Sequence, residues 1–346
     1  MAASRRRVDE WRRDAERQVL VLDGGLATEL EKHPEVDLDT SCLWSARLLL
    51  EDHAHLQHVV VDAHAAYYDA GADVATTVSY QASRDGFEQE TPGTTAQQVQ
   101  RYLQRSVELA VEARDRVWQQ WQRQPSVPPR PVPLVAASIG CYGAALADGS
   151  EYRGEYGKSK SELMAWHRER MACLAATPGV DFLICETVPC IVEVEALLSL
   201  LPEFPTARIM LAVACRNERE LNSGEPIAAL TPLLKQVQDR TQLLAVGVNC
   251  TAPWHVLGLS NAFECPCPKL VYPNSGEGWC GVTKTWLPPN QASGPSTWDS
   301  YLQQWYAAGA RVFGGCCRTT PEDIQAIRAF FTGTTSPTKT REQEKR

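Results

Sequence analysis

The sequence predicts one α/β domain of the (β/α)8 TIM-barrel class, and three observations point there. Eight short apolar, β-branched runs each lead into a turn cluster and then into a stretch of helical periodicity. The runs show little alternation, as expected of parallel strands covered on both faces. No break in composition divides the 346 residues, a length that one barrel fills. A doubly wound open sheet is the alternative reading of the same alternation.

The predicted strands cover residues 18–25, 73–80, 132–140, 180–187, 207–215, 243–250, 269–276 and 310–317. Between them, 51–72 is periodic and ends at Gly71, a residue suited to a C-cap. Segment 94–121 is long and amphipathic, and 159–180 opens on a Ser159-x-x-Glu162 capping pattern. Residues 190–201, 225–237, a short stretch after Pro253, 297–310 and 320–331 complete the helices. The proline-rich segments 124–133 and 287–296 read as surface loops within the domain. The organisation expected is a solvated amphipathic lead-in helix at 1–17, a barrel at 18–331 and a polar, disordered tail at 332–346.

Composition narrows the function. A net charge of −8 argues against a general nucleic-acid binder. The basic opening "MAASRRRVDEWRRDAER" lacks the apolar core of a secretory signal, and no apolar stretch approaches the ~18 residues of a membrane span. A cytoplasmic protein acting on small molecules, with no membrane or nucleic-acid partner, is expected. Twelve cysteines in such a chain are expected to be reduced, with some available as metal ligands. Cys42, Cys173 and Cys215 read as core residues. Cys265 and Cys267 in "FECPCPKL" read as part of a connecting loop rather than half a metal site.

In a barrel the strand ends gather at one mouth. There the sequence places Asp23-Gly24-Gly25, Thr77 to Tyr80, Ser138, Glu186-Thr187, Asn249-Cys250, Asn274 to Glu277 and Cys316-Cys317. Cys250 ends the sixth run and Cys316 with Cys317 the eighth, so the three thiols can converge. Gly314 and Gly315 are expected to let the chain turn so that both neighbouring thiols face inward. Three thiolates suit Zn2+ and leave its fourth position open, the pattern of catalytic zinc. A pair of core cysteines is the alternative meaning of "CC", and Cys185 and Cys280 compete as ligands. A Cys280 ligand would close the site into a structural one.

These stretches together resemble the homocysteine S-methyltransferases. The matching runs are "VLDGGLATELE", "LWSARLLLE", "YYDAGADVATTVSYQAS", "ASIGCYGAALADGSEYRG", "DFLICETVP", "GVNCTAP", "VYPNSGEGW" and "GGCCRTTPEDI". The resemblance implies a zinc-dependent barrel, with Cys250, Cys316 and Cys317 as the ligands. It implies that Asp23 with Gly24 and Gly25 holds the amino-acid end of homocysteine and that Glu186 binds its ammonium. Backbone N–H groups in the glycine turn would suit the carboxylate. Thr77, Ser138 and Asn249 are further strand-end residues expected at the substrate.

The wording is closer to the branch that uses S-methylmethionine than to the betaine branch, because Thr187 and Gln81 stand where that branch favours aromatics. Trp44 and Tyr80 are candidate walls for a sulfonium, with core packing as their alternative. The resemblance thus implies methyl transfer from S-methylmethionine, with S-adenosylmethionine as a poorer donor, to a homocysteine thiol that binds as the fourth zinc ligand. Selenocysteine is an alternative acceptor, and a non-catalytic, zinc-stabilised amino-acid-binding barrel is the alternative from another class. A monomer is expected, because the long C-terminal extension that assembles the betaine branch is lacking.

Overall fold

In the computed structural model, which describes residues 2–15, 17–124, 130–280, 285–287 and 298–333, the eight predicted runs pair as one parallel sheet. Its strands are β1 (Leu20–Val21), β2 (Val74–Thr76), β3 (Leu134–Gly140), β4 (Phe182–Val188), β5 (Ile209–Val213), β6 (Leu243–Asn249) and β7 (Lys269–Tyr272). A separate antiparallel hairpin, β8 (Gly278–Cys280) and β9 (Thr285–Leu287), precedes the last barrel strand, β10 (Ala310–Phe313). The sheet runs β1-β10-β7-β6-β5-β4-β3-β2, and a parallel bridge between Leu22 and Val74 joins its two edges. The architecture is therefore the (β/α)8 barrel and not the open sheet.

Every residue of β3, β4 and β6 is buried, which is why those runs lack alternation in sequence. The period of two is present in where the side chains go. Leu134, Ala136, Phe182, Ile184, Met210 and Ala212 fill the barrel interior. Ala137, Ile139, Leu183, Cys185 and Leu211 pack outward against the helices. Cys185 consequently points away from the neighbouring Glu186 and is no competitor for a metal at the mouth.

Local chemistry sets the helix limits much as the sequence suggests. Gly71 ends the helix Gln57–Ala70 at φ +122°, a conformation that favours glycine. Thr95 with Gln98, and Ser159 with Glu162, form reciprocal capping boxes for helices Ala96–Arg123 and Lys160–Ala176. The predicted helix at 51–72 starts instead as a 3-10 turn over Glu51–Leu56. No helix among the described residues is long and apolar enough to cross a membrane.

The lead-in segment departs from expectation. Helix Ala2–Arg13 is not solvated all round: Val8, Trp11 and Ala15 are at most 4% exposed and join Leu20, Leu22 and Phe182 in the interior core. They close the barrel at the ends where its strands begin. The Trp11 indole donates to the Gln18 carbonyl (3.2 Å). Arg7 pairs with buried Asp73 (2.7 Å), which Arg328 of the last helix, Pro321–Thr332, also binds. Beyond residue 333 the predicted tail lies outside the described residues.

Truncating Trp11 to alanine removes a buried indole from this closure. It should destabilise the protein by about 3–5 kcal/mol, read as a lowered urea midpoint, with little change in the geometry of the opposite mouth.

Candidate metal centre and substrate pocket

At the mouth, the chain leaving β6 presents Cys250 and the chain leaving β10 presents Cys316 and Cys317. Their three sulfurs lie within 4.8 Å of one another. The Cys250 thiol approaches Cys317 Sγ at 3.6 Å and Cys316 approaches it at 4.0 Å. Among the described residues no other set of three Cys, His, Asp or Glu ligand atoms is gathered this closely. Hydrogen bonds from Cys250 and Cys316 hold Cys317 well below the usual thiol range, whereas Cys250, bonded to both partners and buried, is held well above it. Tetrahedral zinc with bonds of about 2.3 Å to sulfur would space its thiolates roughly 3.8 Å apart. The observed separations bracket that value, so the donor set fits such an ion. Cys280 lies on the β8 backbone, and its side chain is outside the described residues.

The backbone around these sulfurs is strained. Trp44, Ala147, Thr187, Cys250 and Arg318 are the non-glycine residues with left-handed φ, between +45° and +63°, among those described. Thr187 is next to last in β4, Cys250 directly follows β6, and Arg318 follows the two thiols after β10. Such residues persist only where their surroundings fix them, and they cluster at functional sites. For the β-branched Thr187 the reason is visible: fully buried Asn249 accepts from its N–H (2.8 Å) and donates to its hydroxyl (2.8 Å). The same amide faces Cys316 Sγ at 3.9 Å. Asn249 is thus a brace between the β4 and β10 ends, its polar atoms engaged by protein.

The glycines act differently from the sequence expectation. Gly314 and Gly315 take no left-handed φ; they are required by close approach. A Cβ on Gly315 would stand 2.1 Å from Thr319 Oγ1, and one on Gly314 would stand 2.7 Å from Leu22 Cβ. The sharp turn is made at Arg318 instead, where Thr319 N–H (3.1 Å) and its hydroxyl (2.7 Å) both return to the Cys316 carbonyl. Gly25 also differs. Its N–H, expected to meet a substrate carboxylate, donates to the Thr319 carbonyl and hydroxyl oxygens, both at 3.1 Å. A Cβ on Gly24 would press on Tyr67 (2.8 Å) and one on Gly25 on the Cys316 carbonyl (2.7 Å).

Two buried carboxylates flank the sulfurs. Asp23 accepts from the Thr76 N–H (2.6 Å) and hydroxyl (2.8 Å). Glu186 accepts from the Ser138 hydroxyl and, at 3.3 Å, from the Tyr272 hydroxyl. Burial pushes both carboxyls up to about 8, and no basic side chain among the described residues offsets either charge. A pair of acids buried without a cation is the arrangement expected of a site that receives one.

Thr77 has a tighter structural part: its hydroxyl meets Ser79 Oγ (2.7 Å) and accepts from the Ser138 N–H (3.0 Å), tying β2 to β3. Trp44 and Tyr80 stand edge to face, with centroids 6.3 Å apart. The Tyr80 hydroxyl lies toward Thr187 and Cys250. Sequence reasoning missed Thr319, Tyr272 and the Thr187–Asn249 brace. "RTTPED" and "VYPN" contain no pattern that announces a contact made across the barrel.

Comparison with known proteins bears on the family of the chain. A family model described as homocysteine S-methyltransferase matches residues 20–331. Homocysteine S-methyltransferase YbgG of Bacillus subtilis is 40% identical over 314 residues, covering 90% of this chain and 94% of that protein. The Escherichia coli homocysteine S-methyltransferase is 40% identical over 318 residues, covering 90% and 94%. The metallated form of the homocysteine methyltransferase MmuM from Escherichia coli superposes with a TM-score of 0.76 at 38% identity, covering 92% of this chain and 99% of that one. Its apo form gives 0.67 at 32% identity, covering 91% and 96%. Matches at this identity, to relatives of nearly the same length, put the chain in the homocysteine S-methyltransferase family.

Proposed function

We propose that this protein carries out zinc-dependent methyl transfer from S-methylmethionine to the thiol of homocysteine. The carbon–sulfur bond to one methyl of the sulfonium breaks, the bond from that methyl to the homocysteine sulfur forms, and the thiol proton is released. Two methionines result. The observation that carries the reading is the three-thiol cluster of Cys250, Cys316 and Cys317 beside two buried carboxylates that have no cation of their own. MmuM, the structural neighbour, has a metallated form, which supports a metal in this family.

Cys250, Cys316 and Cys317 would hold the zinc, which supplies Lewis acidity that keeps a substrate thiol ionised near neutral pH. The rest is the work of the chain. Glu186, kept in place by Ser138 and Tyr272, receives the homocysteine ammonium, a charge-assisted bond in a buried setting. Asp23, fixed by Thr76, shares that charge. Asn249 keeps Thr187 and Cys316 in register, so the acceptor sulfur is presented in one orientation. The Trp44–Tyr80 pair offers aromatic faces to the donor. Thr187 leaves the pocket without the aromatic that a quaternary ammonium would call for.

The decisive experiment measures bound zinc and homocysteine methylation with S-methylmethionine, S-adenosylmethionine and betaine, in the wild type and in Cys317→Ala. Zinc near one per chain, highest rates with S-methylmethionine and loss of both properties in the variant are expected. Activity that survives complete metal removal would refute the mechanism. Glu186→Gln keeps the shape but not the charge. Its Michaelis constant for homocysteine should rise about ten- to a hundredfold, corresponding to about 1.5–3 kcal/mol for a charged hydrogen bond, while zinc content stays unchanged.

A further inference from the structure

The proposed donor poses a recognition problem that the groups above solve only in part. A sulfonium is a cation with no hydrogen to donate. Hydrogen-bond acceptors that recognise an ammonium by its N–H groups gain nothing special from it. Aromatic faces and a bare negative charge are what can hold it. The charge must also lie near the thiol cluster, because the methyl is delivered there.

The loop after β3 contains such a group. Glu151 lies in the 3-10 turn Ser150–Tyr152. The turn is pinned: the Ser150 N–H donates to Asp148 (2.9 Å), and Asn222, from beyond β5, donates to the Glu151 carbonyl (2.8 Å). Gly143 packs so closely that a Cβ there would stand 2.6 Å from the Glu151 nitrogen. The carboxylate is met by its own backbone N–H, and Oε2 is buried with no hydrogen-bond partner. Arg153, the nearest cation in sequence, is turned to the Asp148 carbonyl and Ser150 Oγ (each 3.3 Å). Burial pushes the Glu151 carboxyl up to about 7, with the Arg153 charge offsetting only a small part. Its charge reaches Tyr80 and Cys317, and Tyr152 beside it is in turn within reach of all three thiols.

We infer that Glu151 is the anionic partner of the donor's sulfonium, facing the thiol cluster together with Tyr80 and Tyr152. The site then carries carboxylates for both substrates, Glu186 with Asp23 for the acceptor and Glu151 for the donor. The inference rests on the proposed sulfonium donor. It has a distinctive kinetic consequence. The sulfonium loses its charge as the methyl departs, so the attraction is stronger in the ground state than in the transition state. Glu151 therefore tightens donor binding at some expense to the rate of the bound complex.

The test compares S-methylmethionine with methionine, which has the same amino-acid end but an uncharged sulfur. Calorimetric binding of both to the metal-loaded wild type, Glu151→Gln and Glu151→Asp is measured alongside steady-state kinetics. In Glu151→Gln, affinity for S-methylmethionine should fall tenfold or more and that for methionine less than threefold. The turnover number should hold or rise, the Michaelis constant for homocysteine should hold, and Glu151→Asp should recover part of the lost affinity. Equal losses for the two ligands, no loss for either, or failure of homocysteine binding in both variants would overturn the inference. A wild type that turns over S-methylmethionine while Glu151→Gln binds it equally well refutes this assignment alone. A wild type that neither binds nor uses S-methylmethionine refutes the donor reading and this assignment together.

Discussion

The site depends on a contact too close for any side chain. Where β10 ends, Gly314 and Gly315 lie against Leu22 and Thr319, and Gly25 lies against the Cys316 carbonyl. Thr319 closes the arrangement, accepting from Gly25 and donating to Cys316. The first strand end, which carries Asp23, is thereby locked to the loop that carries two of the three thiols. Carboxylate and sulfur come from opposite ends of the sequence, yet one small knot of backbone sets their separation.

A second brace works across the barrel. Asn249 precedes Cys250 and holds Thr187, the residue after Glu186, in a left-handed conformation that a threonine alone would avoid. Each strained residue costs of order 1–3 kcal/mol, and here the cost places functional neighbours. Glu186 points inward from β4 because the strand is regular up to it. The register shift between Cys185 and Val188 marks where the strand is irregular, before Val188 pairs with Val213 again. On the proposed mechanism, pre-organisation of this kind would hold an acceptor thiol and a donor methyl in line.

Much of this is legible in the sequence because parallel strands buried on both faces leave an unmistakable apolar run, and their last residues must share a mouth. Cys250, Cys316 and Cys317 follow from that rule alone. The lead-in helix misleads although Val8, Trp11 and Ala15 stand at helical spacing, because three consecutive arginines suggest a solvated face. Hairpin β8–β9 escapes notice because its three-residue strands are too short to show a period. The glycines of "GGCC" have the expected place but a different reason, since a sequence shows that a Cβ is missing but not what stands in its way. Asn249 cannot be recognised as a brace without knowing the backbone angle of a residue 62 positions away.

The closure at the strand-start end bears on how the chain reaches this state. Trp11 and Arg7 precede the first strand, yet Arg7 shares Asp73 with Arg328, and β1 pairs with β10, the last strand of the barrel. Contacts of such long sequence separation form slowly. The full seat of helix Ala2–Arg13 requires the last helix, Pro321–Thr332, whose Arg328 completes the pairing at Asp73. In this barrel the floor is tied together by the two ends of the fold, so loosening the last helix should also loosen the plug before the first strand.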